Sequence, residues 1–335
     1  MSLKTDCINN YFSHVYVEEK IKDHNITVEI LKKLKKSKII YIKHYKNVFS
    51  PSTQLFSYQK NSPKLILAKK EDNYIYEGSD LCHDFNNENF YYTSNILNCF
   101  FSCDYCYLQG MYNSANIVVF VNIEDFFKEV DKISESKKIY LTLSYDTDLM
   151  AFDFLYPFTK KWIDYSLKNN NLSVEIRTKS ILDMKIKNNG FDNKIIFGWT
   201  LLPQFVIDNF EKNTPSLEKR IKTIKQYIKN GWKIRISIDP ALMFEGWKNV
   251  YEDFIHYIGK ELKNENISEI SIGVFRMPID YYKKIKKNSN SQIIFRPYYN
   301  KAGIISNSYE EKSMILNFLN EKLLLYFDKE KIFEL

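Results

Sequence analysis

From about residue 89 the chain alternates short apolar, β-branched runs with longer amphipathic ones, and that rhythm leaves few folds open. The strand-like runs are FYYTSNIL (90–97), KIYLTLS (138–144), LSVEIRT (172–178), KIIFGWTL (194–201), KIRISID (233–239) and ISEISIGVF (267–275). Between them NIEDFFKEVDKI, YPFTKKWIDYSLKN, TPSLEKRIKTIKQYIKNG and GWKNVYEDFIHYIGKEL repeat apolar residues at helical spacing. Thr214 and Pro215 open the third of these segments and Gly231 closes it, the punctuation of a helix start and stop. Strands apolar on both faces and joined through helices imply a parallel sheet covered by helices. Six strands fall short of the eight that close a full barrel. The expected fold is therefore α/β, an incomplete six-stranded (β/α)6 TIM-like barrel, with a doubly wound open sheet as the alternative.

The flanks read differently. Residues 1–88 form an N-terminal α/β extension, in which VYVEE and KLILAKK look like strands and NITVEILKKLKK like a helix with Asn25 at its cap. Residues 89–287 hold the partial barrel. Residues 288–335 hold a β-hairpin in QIIFRPYYNKAGII, turning around Tyr299, Asn300 and Lys301, and a terminal helix in YEEKSMILNFLNEKLLLYF.

With 44% hydrophobic and 27% charged residues the composition is that of a globular protein. No run of about 18 apolar residues occurs, so a membrane-spanning helix is not expected. The start, MSLKTDCINNYF, has no apolar stretch of the secretory kind, and the expected compartment is the cytoplasm, where thiols stay reduced. A net charge of +7 suits either a solvated lysine-rich surface or a polyanionic partner.

Chemistry concentrates in NCFFSCDYCYLQG, where Cys99, Cys103 and Cys106, three of the five cysteines, are spaced C-x3-C-x2-C just after a strand. In parallel α/β folds the carboxyl ends of strands carry the ligand site. Three thiolates can hold three irons of a [4Fe-4S] cluster and leave the fourth open to an outside ligand. A zinc site normally takes four closed ligands, which His83 or Cys82 would have to complete. The plainest alternative is three unligated buried cysteines.

This spacing, followed by the aromatic Tyr107, resembles the signature of the radical S-adenosyl-L-methionine (SAM) enzymes. Together with CDYCYLQG, VIDNFEKNTPSLEKRI, EGW and VYVEE, it identifies the chain as similar to the spore photoproduct lyase family. The resemblance runs from about residue 14 to the C-terminal helix and is strongest between 95 and 247. It implies a radical SAM DNA repair lyase that reverses the thymine dimer 5-thyminyl-5,6-dihydrothymine to two thymines. The chemistry would run through a 5'-deoxyadenosyl radical made from SAM on a [4Fe-4S] cluster held by Cys99, Cys103 and Cys106.

Carried over by position, the resemblance makes Tyr105 and Tyr107 a hydrogen-atom relay and gives Lys179 a contact to SAM, where an ammonium would neutralise its carboxylate. Thr147 falls where a serine contacts SAM, with Ser144 and Asp148 beside it. The departure is Tyr145, which stands where the family has a hydrogen-donating cysteine. Donation by Tyr145 itself, donation through Tyr105, and another substrate are the three explanations; Cys82 is a further thiol that could approach.

The implied partners are damaged double-stranded DNA and an electron donor such as flavodoxin or ferredoxin. DNA carrying a lesion is bound chiefly through its phosphates, and the lesion must be turned out of the stack. Arg276, Arg296, Tyr298 and Lys301 are the candidate DNA contacts, with Tyr299 beside them and Lys283, Lys284, Lys286 and Lys287 in YYKKIKK. Asp239, before Pro240, ends a strand on the same rim. Two other functions remain open: a radical SAM enzyme with a non-DNA substrate, and a non-catalytic zinc module that binds nucleic acid.

Overall fold

The computed structural model describes residues 11–143, 145–188 and 194–335. The lead-in supplies β1 (His14–Glu18), β2 (Lys38–Ile42) and β3 (Leu65–Ala68), and these pair in parallel. β4 (Tyr76–Glu77) and β5 (Phe90–Tyr92) follow as an antiparallel pair. Next come β6 (Ile96–Leu97), β7 (Ser102–Cys103) and β8 (Ile117–Phe120).

The run FYYTSNIL, read as one strand, is two. β5 pairs in parallel with the strand at Ile139–Thr142, whereas β6 runs antiparallel to β8 in the five-stranded sheet β2-β1-β3-β8-β6. The chain crosses between sheets at Thr93 and Asn95, which are buried. Thr93 donates to the carbonyl of Tyr74 at 2.7 Å, and Asn95 accepts from the Trp162 indole at 2.5 Å. These two bonds satisfy the Thr93 hydroxyl and the Asn95 side-chain oxygen where the chain crosses. One sheet spans residue 88: β3 and β8, on either side of it, pair over four residues from Leu65 and Ile117.

The remaining expected strands form as β9 (Ile139–Thr142), β10 (Leu172–Thr178), β11 (Ile195–Thr200), then β13 (Lys233–Ala241) and β14 (Ile267–Val274), with the short β12 (Glu211–Lys212) between them in sequence. With β5 they lie side by side in chain order, all parallel: β5-β9-β10-β11-β13-β14. β15 (Arg276–Pro278), β16 (Tyr299–Lys301) and β17 (Ile304–Ser306) make a separate three-stranded sheet. β18 (Ile332–Glu334), which no sequence pattern announced, pairs in parallel with β14. The eight-stranded sheet is thus open, with β4 on one edge and β18 on the other.

Helices between the parallel strands cover the sheet with the apolar faces their spacing implies. In Leu217–Lys229, Leu217, Ile221, Ile224 and Tyr227 are buried at intervals of three and four residues. Ser216, not Thr214, precedes this helix; the Thr214 hydroxyl donates instead to the Glu211 carbonyl at 2.9 Å. Gly231 does end it: its φ of +85° lets its N–H reach the Ile228 carbonyl at 2.8 Å.

The sheet carries a buried ionic network. Arg235 on β13 bonds to Glu175 on β10 (2.6 Å), to the Tyr140 hydroxyl on β9 (2.5 Å) and to Glu269 on β14 (2.9 Å). Burial alone would raise the Glu175 carboxyl, yet Arg177 and Arg235 hold it down to about 2. A Cβ at Gly198 on β11 would stand 3.2 Å from Glu175 Oε1, so glycine there leaves the carboxylate its room. The loop between β4 and β5 packs onto this network, with the Arg235 guanidinium 3.1 Å from the Phe85 ring centroid and Arg177 donating to the His83 carbonyl at 3.3 Å. A lead-in segment is thereby brought over the sheet, next to the strand ends.

In the tail, the first arm of the expected hairpin is partly helical: QIIF is the short helix Gln292–Phe295, and the hairpin is β16 and β17 around Ala302 and Gly303. The terminal helix spans Tyr309–Leu323 and opens with a capping box between Ser308 and Glu311.

Candidate active site

The carboxyl ends of the parallel strands surround a cavity of about 450 Å³. Cys99, Cys103 and Cys106 form one wall, Thr147 and Asp148 follow β9, Lys179 follows β10, and Arg276 follows β14. A second cavity, about 930 Å³, reaches the same three thiols past Lys60 and Lys212.

The cysteine loop is held by backbone and charge. Its β7 pairs antiparallel with β12, so that Cys103 lies opposite Glu211, and Asp104 N–H donates to the Phe210 carbonyl at 2.8 Å. Lys60 Nζ donates to the Cys99 carbonyl at 2.5 Å, and Gln109 donates to the Cys103 carbonyl at 2.7 Å. Burial raises all three thiols, Cys99 to about 12, while Lys60 and Lys179 pull the other way. Buried thiols crowded together in this manner ionise only when a cation takes them.

Among the described residues no three His, Cys, Asp or Glu side chains converge closely enough to share one metal ion. Three thiols on one cavity wall would suit a cluster that leaves one iron open, whereas a structural zinc normally takes four protein ligands. The expected completing ligands for zinc are engaged elsewhere: His83 Nδ1 accepts from the Phe85 N–H at 2.7 Å, and Cys82 meets Tyr145.

Lys179 is mostly buried, with Nζ 3.8 Å from Glu211 and 5.7 Å over the Tyr105 ring. Burial favours its neutral form, but Cys103 and Glu211 outweigh that and raise its pKa, so it is a firm cation beside the thiols. Asp148 ties two strand ends together, accepting from the Thr178 hydroxyl (2.8 Å) and the Lys179 N–H (2.7 Å). Thr147 lines the cavity but donates its hydroxyl to the Asn98 carbonyl at 2.7 Å, bracing the start of the cysteine loop. Ser144 lies outside the described residues.

The two tyrosines of the YCY word part company. Tyr105 turns into a buried cluster and hydrogen-bonds to Glu211, which Arg220 also holds at 2.5 Å. Tyr107 donates to the backbone carbonyl of Tyr145 at 2.6 Å, and the two rings are 6.2 Å apart. Tyr145 in turn accepts a hydrogen bond from the Cys82 thiol at 3.3 Å. Cys82 therefore stands at the cavity wall, delivered by the loop between β4 and β5. Nothing in the spacing of the sequence reports that approach.

Among the expected DNA contacts, two arginines are otherwise occupied. Arg276 makes a two-pronged pair with Asp239 (2.8 Å each) and donates to the Leu81 and Val274 carbonyls at 2.9 Å. Arg296 bonds to Glu311 and to the Met243 carbonyl, both at 2.8 Å. These internal ties engage both terminal nitrogens of each guanidinium, while the buried Arg296 Nε has no hydrogen-bond partner. Tyr298 is half-buried and stacks on Phe275 at 4.6 Å. Lys301 and Tyr299 are exposed on the hairpin, Tyr299 at 62%. Lys283, Lys284, Lys286 and Lys287 project from the helix Ile279–Asn288, whose Tyr281 reaches the cavity.

A parallel α/β sheet thus carries three cysteines, a paired lysine and a cluster of phenols at its carboxyl rim, the lining of a cysteine-based cofactor site. The comparisons agree and are more specific. The family model described as spore photoproduct lyase matches residues 13–292, and the chain belongs to that family. Curated spore photoproduct lyases are similar in sequence: that of Bacillus subtilis is 27% identical over 176 residues, covering 50% of each protein. That of Clostridium acetobutylicum is 24% identical over 196 residues, covering 57% of this chain and 58% of the relative. The sequence match thus spans about half the length of these relatives.

The fold matches at greater length. A solved spore photoproduct lyase complexed with dinucleoside spore photoproduct superposes with a TM-score of 0.82 at 18% identity, covering 96% of this chain and 98% of the other. A solved spore photoproduct lyase mutant with bound AdoMet and dinucleoside spore photoproduct gives 0.80 over the same shares. No helix among the described residues is long and apolar enough to cross a membrane.

Proposed function

We propose that this chain is a radical SAM lyase that repairs the spore photoproduct in DNA. The observation that carries the reading is the meeting of Cys99, Cys103, Cys106, Lys179 and the Cys82–Tyr145 pair around one cavity at the carboxyl rim. The three cysteines would hold a [4Fe-4S] cluster, and Lys179 would neutralise the carboxylate of SAM. Together these cofactors supply a carbon-centred radical able to take a hydrogen atom from the lesion.

The protein's own part is to hold, shield and return a hydrogen atom. In this reading Cys82 substitutes for the cysteine that the family resemblance would put at Tyr145. Its S–H bond breaks as a C–H bond forms on the thymine radical. Tyr145 then gives its phenolic hydrogen to the sulfur radical across the 3.3 Å contact, restoring the thiol. Tyr107, beside Tyr145, continues the path, while Tyr105, fixed on Glu211, orients the cysteine loop and Lys179.

The lead-in and the tail serve this centre. The lead-in contributes Cys82, and the open sheet acts as a partial barrel around the cofactors. The exposed lysines at 283–287 and Lys301 would meet DNA phosphates, the hairpin would enter at the lesion, and a cytoplasmic flavodoxin or ferredoxin would deliver the electron.

The test is anaerobic. The cluster is reconstituted, dithionite, SAM and a synthetic spore-photoproduct dinucleotide are added, and 5'-deoxyadenosine and thymidine are measured by mass spectrometry. Formation of both supports the reading. Deoxyadenosine without thymidine refutes the substrate and keeps the radical chemistry; neither product, from a colourless zinc-containing preparation, refutes both.

A further inference from the structure

Behind Tyr145 the rings continue. Tyr145 stacks on Tyr92 with centroids 4.1 Å apart and planes within 25°, and Tyr92 stacks on Tyr76 at 5.0 Å and 18°. The file begins at the cavity wall, which Tyr145 and Tyr92 both line. It ends on β4, the edge strand of the large sheet, where Lys70 Nζ donates to the Tyr76 hydroxyl at 3.1 Å and lies 5.4 Å from its ring centroid. Burial first, and the charge of the buried Asp146 after it, raise the pKa of both Tyr92 and Tyr76.

Stacked aromatic pairs are ordinary packing. Three in file, all phenols, running from a cavity to a sheet edge, do more than fill space. Phenylalanine would stack equally well, and it is the hydroxyl that makes these rings oxidisable by one electron.

We propose that Tyr145, Tyr92 and Tyr76 form a radical-transfer column that lets a small-molecule thiol discharge, at the protein edge, an oxidising equivalent stranded in the cavity. The proposal rests on the radical reading of the site. A phenoxyl radical on Tyr145 takes an electron from Tyr92 and a proton, becoming the phenol again. Tyr92 is restored in the same way by Tyr76. The thiol gives one electron and one proton to Tyr76, with Lys70 as the proton partner at that oxygen, and two of the resulting sulfur radicals combine as a disulfide. The sum is one phenoxyl and one thiol converted to one phenol and half a disulfide. The column would rescue enzyme molecules whose hydrogen atom is lost before it is returned.

The test needs neither cluster nor SAM, so failure of the repair reading cannot be mistaken for failure of this one. The purified chain carrying Cys82→Ser, which keeps the thiol from repairing Tyr145, is illuminated with a bulky ruthenium tris-bipyridyl photo-oxidant and a cobalt quencher. Oxidised Tyr145 is then measured by peptide mass spectrometry. Tyr92→Phe and Tyr76→Phe each keep the ring. In either, Tyr145 oxidation should fall at least about tenfold, the change that accompanies a barrier raised by about 1.4 kcal/mol. Tyr58→Phe, at an off-column tyrosine that is 78% exposed, should leave it unchanged. Equal oxidation of Tyr145 with and without the Tyr92 hydroxyl would overturn the proposal. Should Tyr92→Phe lose native near-ultraviolet dichroism, the edge substitution Tyr76→Phe decides alone.

Discussion

Replacing Glu211 by glutamine tests the electrostatic support of the cysteine loop. Glu211 is 2% exposed and faces Arg220, itself fully buried, at 2.5 Å, with Lys179 at 3.8 Å. Glutamine keeps the shape but removes the charge. Arg220 would retain the Pro215 and Thr200 carbonyls at 3.0 Å and the Thr214 hydroxyl at 2.7 Å, and none of these compensates a buried cation. Breaking one side of a buried pair costs about 3–5 kcal/mol. With a urea m-value of about 3 kcal/mol/M, the unfolding midpoint of the reduced apoprotein should drop by roughly 1–1.7 M.

The pH dependence adds a signature. Burial alone would raise the Glu211 carboxyl, but Lys179 and Arg220 hold it below the usual range. A lowered folded pKa means that the stabilisation is fully present above the unfolded value of about 4.3 and is lost as pH falls through the folded value. The two proteins should therefore differ most near neutral pH and converge in acid. A midpoint drop under about 0.3 M at neutral pH, or a difference that grows in acid, would refute the reasoning.

Other outcomes follow from the site. Cys82→Ala and Tyr145→Phe should each divert the product away from thymidine without lowering iron content; unchanged product in Cys82→Ala removes the thiol from the path. Arg276→Ala should release the Leu81 carbonyl and leave Asp239 unpaired, lowering turnover about tenfold through misplacement of Cys82 while iron content and the salt dependence of DNA binding stay the same. Lys301→Ala should instead reduce the slope of log affinity against log salt by about 0.9 if its ammonium meets a duplex phosphate, measured by fluorescence anisotropy at several salt concentrations. Arg296→Ala should leave that slope unchanged and lower stability.

Much of the architecture is written in local periodicity. The six parallel strands lie in the order and nearly the positions that the apolar runs imply, because strands buried on both faces and helices buried on one leave distinct patterns. That Cys99, Cys103 and Cys106 line one cavity follows from equally local causes, since all three sit within eight residues of one loop. Strands without a private pattern were not legible. β18 is three residues long and pairs along the edge of β14, and FYYTSNIL divides where Thr93 and Asn95 bond to the distant Tyr74 and Trp162.

Side-chain fates were decided by contacts remote in sequence. Arg276 and Arg296 read as surface cations, and acidic partners, 37 residues upstream and 15 downstream respectively, turn them inward. Tyr105 and Tyr107 are two residues apart on one loop, yet Glu211 claims the first and the Tyr145 backbone the second. Cys82 reaches Tyr145 across 63 residues because Arg177, Arg235 and Arg276 hold its loop against the sheet. Composition and spacing determined which chemistry this chain can host. Which thiol and which phenol meet at the cavity wall was settled only by long-range packing, since hydrogen bonds and ion pairs act over a few ångströms of space whatever the distance along the chain.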